Sequence, residues 1–208
     1  MIQVGIVDYK CGNIRSLFNA LEYISANPFM IKEEEDFNKA THAVLPGVGA
    51  FGYCAENLEK SGLMNPLMRY ISKDKPLLGI CVGMQLMLDS SEELGSFKGL
   101  SLVSGKIESL KDCIDNKKTK IPHVGWNSVK FLKSNKYFSN ADQYDFYFDH
   151  SYAFLGINQS STLGYSNYGT NFTSIISKKN ILACQFHPEK SQKNGLNFLK
   201  FFLENYKC

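Results

Sequence analysis

Hydrophobic and polar positions alternate along this chain in two different textures. In the N-terminal half, short unbroken apolar runs are separated by stretches of helical spacing. Ile2 to Val7 is such a run; it ends at Asp8 and reads as a buried strand. Cys11-Gly12-Asn13 makes a turn, and Ile14, Leu17, Phe18 and Leu21 then recur at helical spacing as far as Pro28. Ala43-Val44-Leu45 reads as a second buried strand, closed by Pro46-Gly47-Val48-Gly49. Leu58 to Ile71 has mostly helical spacing, with Pro66 as the expected break. Pro76 to Ile80 is a third buried strand, and Met84 to Leu88 starts a helix straight after it. Such alternation predicts a parallel sheet covered on both faces.

The C-terminal half is β-rich. Phe146-Tyr147-Phe148, Thr173 to Ile176 and Ile181 to Cys184 are short and separated by Gly, Asn and Ser turns, with Lys178-Lys179-Asn180 as a hairpin turn. An amphipathic helix follows, in which Leu196, Leu199, Phe202 and Leu203 share a face. The pattern contains no internal repeat and no linker. The expectation is one α/β domain over residues 1–208: a mixed, mostly parallel central sheet flanked by helices, with a smaller antiparallel portion in the C-terminal half.

Composition narrows the class without changing that picture. Hydrophobic residues make up 44% and charged residues 21%, near the globular average, so no large part need be disordered. The net charge of +3 is spread out, and the densest run, Lys117-Lys118 with Lys120, reads as a solvated loop rather than a nucleic-acid stripe. No basic leader and no apolar run of about 18 residues is present, so a cytoplasmic protein is expected. The six cysteines (Cys11, Cys54, Cys81, Cys113, Cys184, Cys208) form no C-x-x-C pair. Structural zinc and a disulfide framework are therefore not expected. Each cysteine reads as a small buried hydrophobe, except one.

Gly79-Ile80-Cys81-Val82-Gly83 lies between a buried strand and a helix. This is the strand–turn–helix elbow that lifts a nucleophile above a sheet edge, with cysteine as the nucleophile. A helix N-terminus there favours the thiolate, and the Val82 N–H is expected to point where an oxyanion forms. A purely structural glycine turn is the alternative. Gln185-Phe186-His187-Pro188-Glu189 tips the balance. A histidine at a strand end can reach the nucleophile, and Glu189, two residues on, can fix its tautomer. Cysteine, base and orienting carboxylate complete a triad. Pro46 to Gly52 is a third element, in which a backbone amide of Gly47, Val48 or Gly49 supplies the second oxyanion donor. It lacks the Lys-Ser/Thr ending of a phosphate loop.

Together these motifs resemble a class I glutamine amidotransferase. The finer similarity is to the glutaminase subunits of imidazole glycerol phosphate synthase, the HisH family. It rests on Leu45 to Gly52, Leu78 to Gln85, Pro122-His123-Val124-Gly125-Trp126-Asn127, His150-Ser151-Tyr152 and Gln185 to Ser191, in family order along the whole chain. The resemblance implies Cys81 as nucleophile, His187 as general base and acid, and Glu189 as its orienter. It implies that Gly52, Gln85, Ser151 and Tyr152 lie near the bound L-glutamine. Gly12, Asn13, Pro122, Trp126 and Asn127 would face the partner, a separate (β/α)8-barrel cyclase that uses the ammonia. No metal or organic cofactor is implied. Trp126 has a core aromatic as its alternative, His123 and His42 read as structural, and His150 either packs the turn or lines the site. Two residues depart from the family pattern: Lys10 stands in place of an expected glycine, and Asp149 in place of an aliphatic residue, neither touching the triad.

The implied reaction is acyl transfer from glutamine to water through a γ-glutamyl thioester. A peptidase or γ-glutamyl hydrolase would share the elbow and triad but act on larger substrates without a partner. A non-catalytic regulatory subunit would not need an intact triad. A paralogous glutaminase would deliver its ammonia to a sugar amidotransferase instead.

Overall fold

The computed structural model describes residues 2–113, 119–157 and 159–207; Lys117-Lys118 and Cys208 lie outside them. The first strand, β1 (Gln3–Val7), is followed by α1 (Ile14–Tyr23), β2 (Asn27–Ile31), β3 (His42–Leu45), α2 (Phe51–Lys60), α3 (Met64–Ser72), β4 (Leu77–Ile80) and the one-turn α4 (Val82–Gln85). Three short strands come next, β5 (Ser90–Ser91), β6 (Phe97–Lys98) and β7 (Lys106–Ser109), then α5 (Leu110–Cys113). The remainder is β8 (His123–Phe131), β9 (Gln143–His150), β10 (Tyr152–Phe154), β11 (Thr162–Asn167), β12 (Asn171–Lys178), β13 (Ile181–Cys184), a 3-10 turn at Pro188–Lys190 and α6 (Gln192–Asn205).

Nine strands form one sheet in the order β2-β1-β3-β4-β13-β12-β11-β8-β9, and β10-β7-β5-β6 form a second, smaller one. The large sheet is parallel from β2 to β13 and antiparallel from β13 to β9. The antiparallel portion is thus continuous with the parallel one. Strands β3, β4 and β13 are buried at every position, as unbroken apolar runs in a covered parallel sheet must be. Because β1, β3, β4 and β13 are mutually parallel, their C-terminal ends share one edge. That edge carries the turn ending in Gly12-Asn13, the Pro46–Gly49 loop, Cys81 and His187. Open α/β sheets bind ligands at such an edge.

Several local expectations are corrected. The first helix ends at Tyr23, and Pro28 lies inside β2, an edge strand where a missing N–H costs no ladder bond. The Leu58–Ile71 stretch is two helices. They part at Gly62, whose φ of +75° suits glycine, while Pro66 sits in the first turn of α3, where its missing N–H is harmless. The helix expected from Met84 to Leu88 is the single turn of α4. The hairpin turn holds as Lys179-Asn180 between the paired Lys178 and Ile181. In α6 the buried face is Gly195, Phe198, Leu199, Phe202 and Leu203 with Phe201, while Leu196 is half-buried.

The apolar residues form one core. Under the antiparallel half it is aromatic: Phe186 stacks on Phe146 with centroids 3.9 Å apart and meets Phe198 edge-on at 5.0 Å. Phe186 lies between Gln185 and His187, so it anchors the segment that carries both. Phe186→Ala is expected to lower unfolding free energy by about 3–5 kcal/mol, as for a fully buried Phe. A urea titration followed by circular dichroism checks it; a loss below about 1 kcal/mol would mean that this cluster does not hold the segment.

Candidate active site

Cys81 sits at φ 54°, ψ −112°, in the left-handed half of backbone space. Such a conformation costs a non-glycine residue about 1–3 kcal/mol and persists only where the surroundings over-determine it. Here its N–H is held by the Cys184 carbonyl of β13 at 2.8 Å, and its own carbonyl accepts from Met84 and Gln85 N–H at 3.0 and 3.1 Å. The flanking loop presses directly against the elbow. A Cβ on Gly47 would lie 2.5 Å from Gly83 N and 2.8 Å from Val82 Cβ, and one on Gly83 would run into the Leu45 carbonyl. Both positions therefore admit only glycine.

The one-turn α4 aligns few peptide dipoles, so a helix field is a weak reason for thiolate chemistry here. Side chains surround the sulfur instead. Gln185 Nε2 approaches Sγ at 3.8 Å, and the Asp149 carbonyl lies 3.9 Å away. Asp149 thus does contact the triad, through its backbone. His187 donates from Nδ1 to Glu189 Oε1 at 2.8 Å, and the two side chains are only 2% and 4% exposed. Burial alone would pull the imidazole pKa down. Charge interaction and a hydrogen bond with Cys81, together with the Glu189 carboxylate, outweigh burial and push it up to about 10. Glu189 Oε2 is buried and has no hydrogen-bond partner among the described residues, so compensation of that charge falls to the imidazolium.

His187 is locked through its backbone. His187 N–H donates to the Tyr147 carbonyl at 2.8 Å. Ser191 Oγ donates to the His187 carbonyl at 2.6 Å and accepts from Tyr147 N–H at 2.9 Å. This explains the serine that follows His-Pro-Glu-Lys. Gln185, just past the end of β13 and two residues before His187, also reaches the sulfur.

A cavity of about 350 Å³ opens beside Sγ, lined by Val48, Gly49, Cys81, Val82, Gln85, Glu93, Pro122, Asp149, His150, Ser151, Tyr152 and His187. It brings together Gln85, Ser151 and Tyr152 as expected. Gly52 is not among them; it lies beneath the Phe97 ring, which a Cβ there would overlap. Glu93 lies beyond every recognised motif. Its Oε2 accepts the Phe51 N–H at 2.7 Å, so the first amide of α2 holds the carboxylate in place.

The oxyanion geometry differs from expectation. Val82 N–H does not point into open cavity: it faces the Gly47 carbonyl at 3.4 Å. Because carbonyl and amide of one peptide point opposite ways, the Val48 N–H of that same peptide is turned from the elbow. The Pro46–Gly47 stretch is held from below by the buried Tyr9 hydroxyl, which donates to the Pro46 carbonyl.

Of the residues expected to face a partner, Gly12 and Asn13 are half-buried at the same edge, and Pro122 is exposed on the cavity rim. Trp126 is 50% exposed with its edge toward Tyr147, so it is not a core aromatic. Asn127 is tied to its neighbours by hydrogen bonds. Lys10 is exposed at φ 66°, which is why glycine suits that position. His42 is structural, with Nε2 against the Tyr206 carbonyl at 2.7 Å. Cys11, Cys54 and Cys184 are buried and Cys113 is half-buried, all without disulfides. No cluster suited to a metal ion and no helix long and apolar enough to cross a membrane occurs among the described residues.

A family model described as glutamine amidotransferase class-I matches residues 6–205. A curated protein of Aquifex aeolicus, imidazole glycerol phosphate synthase subunit HisH, is 41% identical over 95% of this chain and 94% of its own. A protein of the same name from Chlorobaculum tepidum is 40% identical over 97% and 99%. Among solved structures, one of PurLQS from Thermotoga maritima superposes with a TM-score of 0.72 at 16% identity, covering 99% of both chains.

The ion-pair environment of His187 generates a prediction. His187 should hold its proton through neutral pH and release it near pH 10. In Cys81→Ala the largest raising influence is gone, so the pKa should fall, with Glu189 still holding part of it up. Histidine-selective NMR titration measures both. A wild-type His187 titrating near pH 6.5 would exclude a thiolate–imidazolium pair.

Proposed function

The chain belongs to the class I glutamine amidotransferases and, within them, to the HisH family, and from this we propose that it is the glutaminase subunit of an imidazole glycerol phosphate synthase, acting in the cytoplasm in histidine biosynthesis. The observation that carries the reading is the meeting of the strained Cys81 with the His187–Glu189 pair at the mouth of one cavity. The cavity suits glutamine. At about 350 Å³ it admits a small amino acid, and the acidic Glu93 on its wall complements an α-ammonium group.

In this reading the Cys81 thiolate attacks the side-chain amide carbon, and His187 gives its proton to the departing nitrogen as the C–N bond breaks. Ammonia leaves. Water, losing a proton to His187, then attacks the γ-glutamyl thioester; the C–S bond breaks, and glutamate and the thiolate are released. Glu189 keeps the ring oriented and stabilises its charged form. Each tetrahedral intermediate needs amide donors, and here Val82 N–H is covered by the Gly47 carbonyl. Turning the Gly47–Val48 peptide over would remove that carbonyl and bring the Val48 N–H in. We infer that binding of a barrel-shaped cyclase, over Gly12, Asn13, Pro122, Trp126 and Asn127, favours the turned form, so that ammonia is made only where it is used.

Two predictions follow from this assignment. A glutamine-analogue electrophile should label Cys81 alone stoichiometrically by mass spectrometry, and Cys81→Ala should abolish glutamine hydrolysis with an unchanged circular dichroism spectrum. Substantial residual turnover in a folded Cys81→Ala protein would remove the triad assignment.

The second concerns gating. Glutamine hydrolysis should be slow alone and strongly stimulated by the cyclase from the same source carrying its nucleotide ligand. Trp126→Ala should weaken the stimulating interaction by about 2 kcal/mol, roughly thirtyfold in affinity, with basal turnover little altered. Steady-state glutaminase assays across a cyclase titration measure this. Full activity without a partner would end the gating reading, and stimulation by a sugar amidotransferase alone would change the acceptor.

A further inference from the structure

Two buried histidines have no part in the chemistry above, and the atoms around them leave only one arrangement of protons. His150 Nδ1 lies 2.9 Å from the Tyr152 carbonyl, which can only accept, so Nδ1 carries the hydrogen. In the neutral ring Nε2 is then an acceptor, and its neighbour at 2.9 Å, His123 Nδ1, must donate. His123 Nε2 accepts in turn from Asn127 Nδ2 at 3.2 Å. The orientation of that amide is settled independently. Its second hydrogen goes to the Asn167 carbonyl at 2.9 Å, and its Oδ1 accepts the Ser128 N–H at 2.8 Å. Burial lowers the pKa of His123 to about 4; burial and then the positive form of His123 lower that of His150 to about 3, so both rings are neutral.

The chain continues on the far side of the Tyr152 carbonyl. That oxygen also accepts from Gln85 Nε2 at 3.0 Å. Gln85 gives its other hydrogen to Gln185 Oε1 at 3.1 Å, and Gln185 Nε2 approaches Cys81 Sγ at 3.8 Å. Two donors therefore meet on one carbonyl in the cavity wall: His150, at the end of a chain from the β8 surface, and Gln85, from which a second chain of donors runs out through Gln185 to the Cys81 sulfur. Sheet register brings this about, since His123 and His150 are directly paired across β8 and β9. His123 is clamped between Tyr168 and Phe148, with centroids at 3.9 and 4.8 Å.

We propose that Asn127, His123 and His150 are positioning residues for glutamine binding: a hydrogen-bonded chain that fixes the Tyr152 carbonyl and, through Gln85 and Gln185, the wall against which glutamine lies beside Cys81. This rests on reading the cavity as the glutamine site. Breaking the chain in the middle leaves His150 Nε2 unpaired in a buried site. The cavity wall shifts while the Cys81–His187–Glu189 contacts stay.

The test uses the full chain with its cyclase. His123→Leu should raise KM for glutamine about tenfold, the size expected for one unpaired buried group, with kcat changed less than about twofold. The rate of Cys81 alkylation by iodoacetamide, which needs no glutamine subsite, should not change. His123→Asn returns a donor to His150 and should restore most of the KM. Nitrogen-edited NMR of the wild type should show both histidines as the Nδ1–H tautomer. Either ring in the Nε2–H form, or an unmoved KM in His123→Leu, overturns the chain. If His123→Leu does not fold, the tautomer spectrum and the His123→Asn kinetics decide the matter alone. A wild-type complex without glutaminase activity overturns the reading of the cavity itself, whereas an active wild type beside an unmoved His123→Leu overturns only the positioning role.

Discussion

The site depends on the parallel pairing of β4 with β13, in which Gly79 lies opposite Ala183 and Ile80 opposite Cys184. One bond beyond that ladder, Cys81 N–H to the Cys184 carbonyl, holds the strained elbow at the level of the strand end that leads to His187. Cys81 and His187 are 106 positions apart in the chain, and nothing local relates them. A register slip of one residue in β13 would turn Gln185 and His187 to the opposite face and put Phe186 beside the sulfur. The aromatic packing of Phe186 on Phe146 and Phe198 opposes that slip. Aromatic packing thereby helps keep His187 on the side of the sheet edge where Cys81 lies.

Close backbone approach is the second constraint, and it ties structure to control. Gly47 and Gly83 lie so near each other that no side chain fits at either. The same proximity lets the Gly47 carbonyl reach the Val82 amide and occupy a donor that the chemistry needs. A loop able to cover the oxyanion site must be small, close and free to turn; glycine at 47 and at 49, where φ is +116°, meets those demands. In the proposed gating, activation is the turning of one peptide rather than the building of a new site.

Electrostatics follows from burial. With α4 only one turn long, the sulfur depends on Gln185 and on His187 held against a buried carboxylate. The same burial that raises the demand for pairing at His187 and Glu189 keeps His123 and His150 neutral. His187 is thus held charged by Cys81 and Glu189 beside it, whereas His123 and His150, which have burial and no such partner, stay neutral.

Much of this was legible in the residues. Unbroken apolar runs marked β1, β3, β4 and β13, because a strand buried on both faces has no polar positions to offer. Gly-x-Cys-x-Gly and His-Pro-Glu marked the residues that meet at the cavity mouth, because a strained elbow and a restrained carboxylate need those residue types in that order. Edge strand β2, the one-turn α4 and the Gly62 break escaped, because each is decided by neighbours rather than by period. Glu93 belongs to no motif and reaches the cavity only through the amide of Phe51. Gly52 looked like part of the glycine loop but is small to admit the Phe97 ring. The sequence by itself determined the chemical groups, the strand that presents each one and their order along the chain, since those follow from local composition and periodicity. Only the tertiary structure decided that Gly47 covers the Val82 amide and that His123 meets His150, because both depend on contacts between segments distant in sequence, which pairing and packing alone bring together.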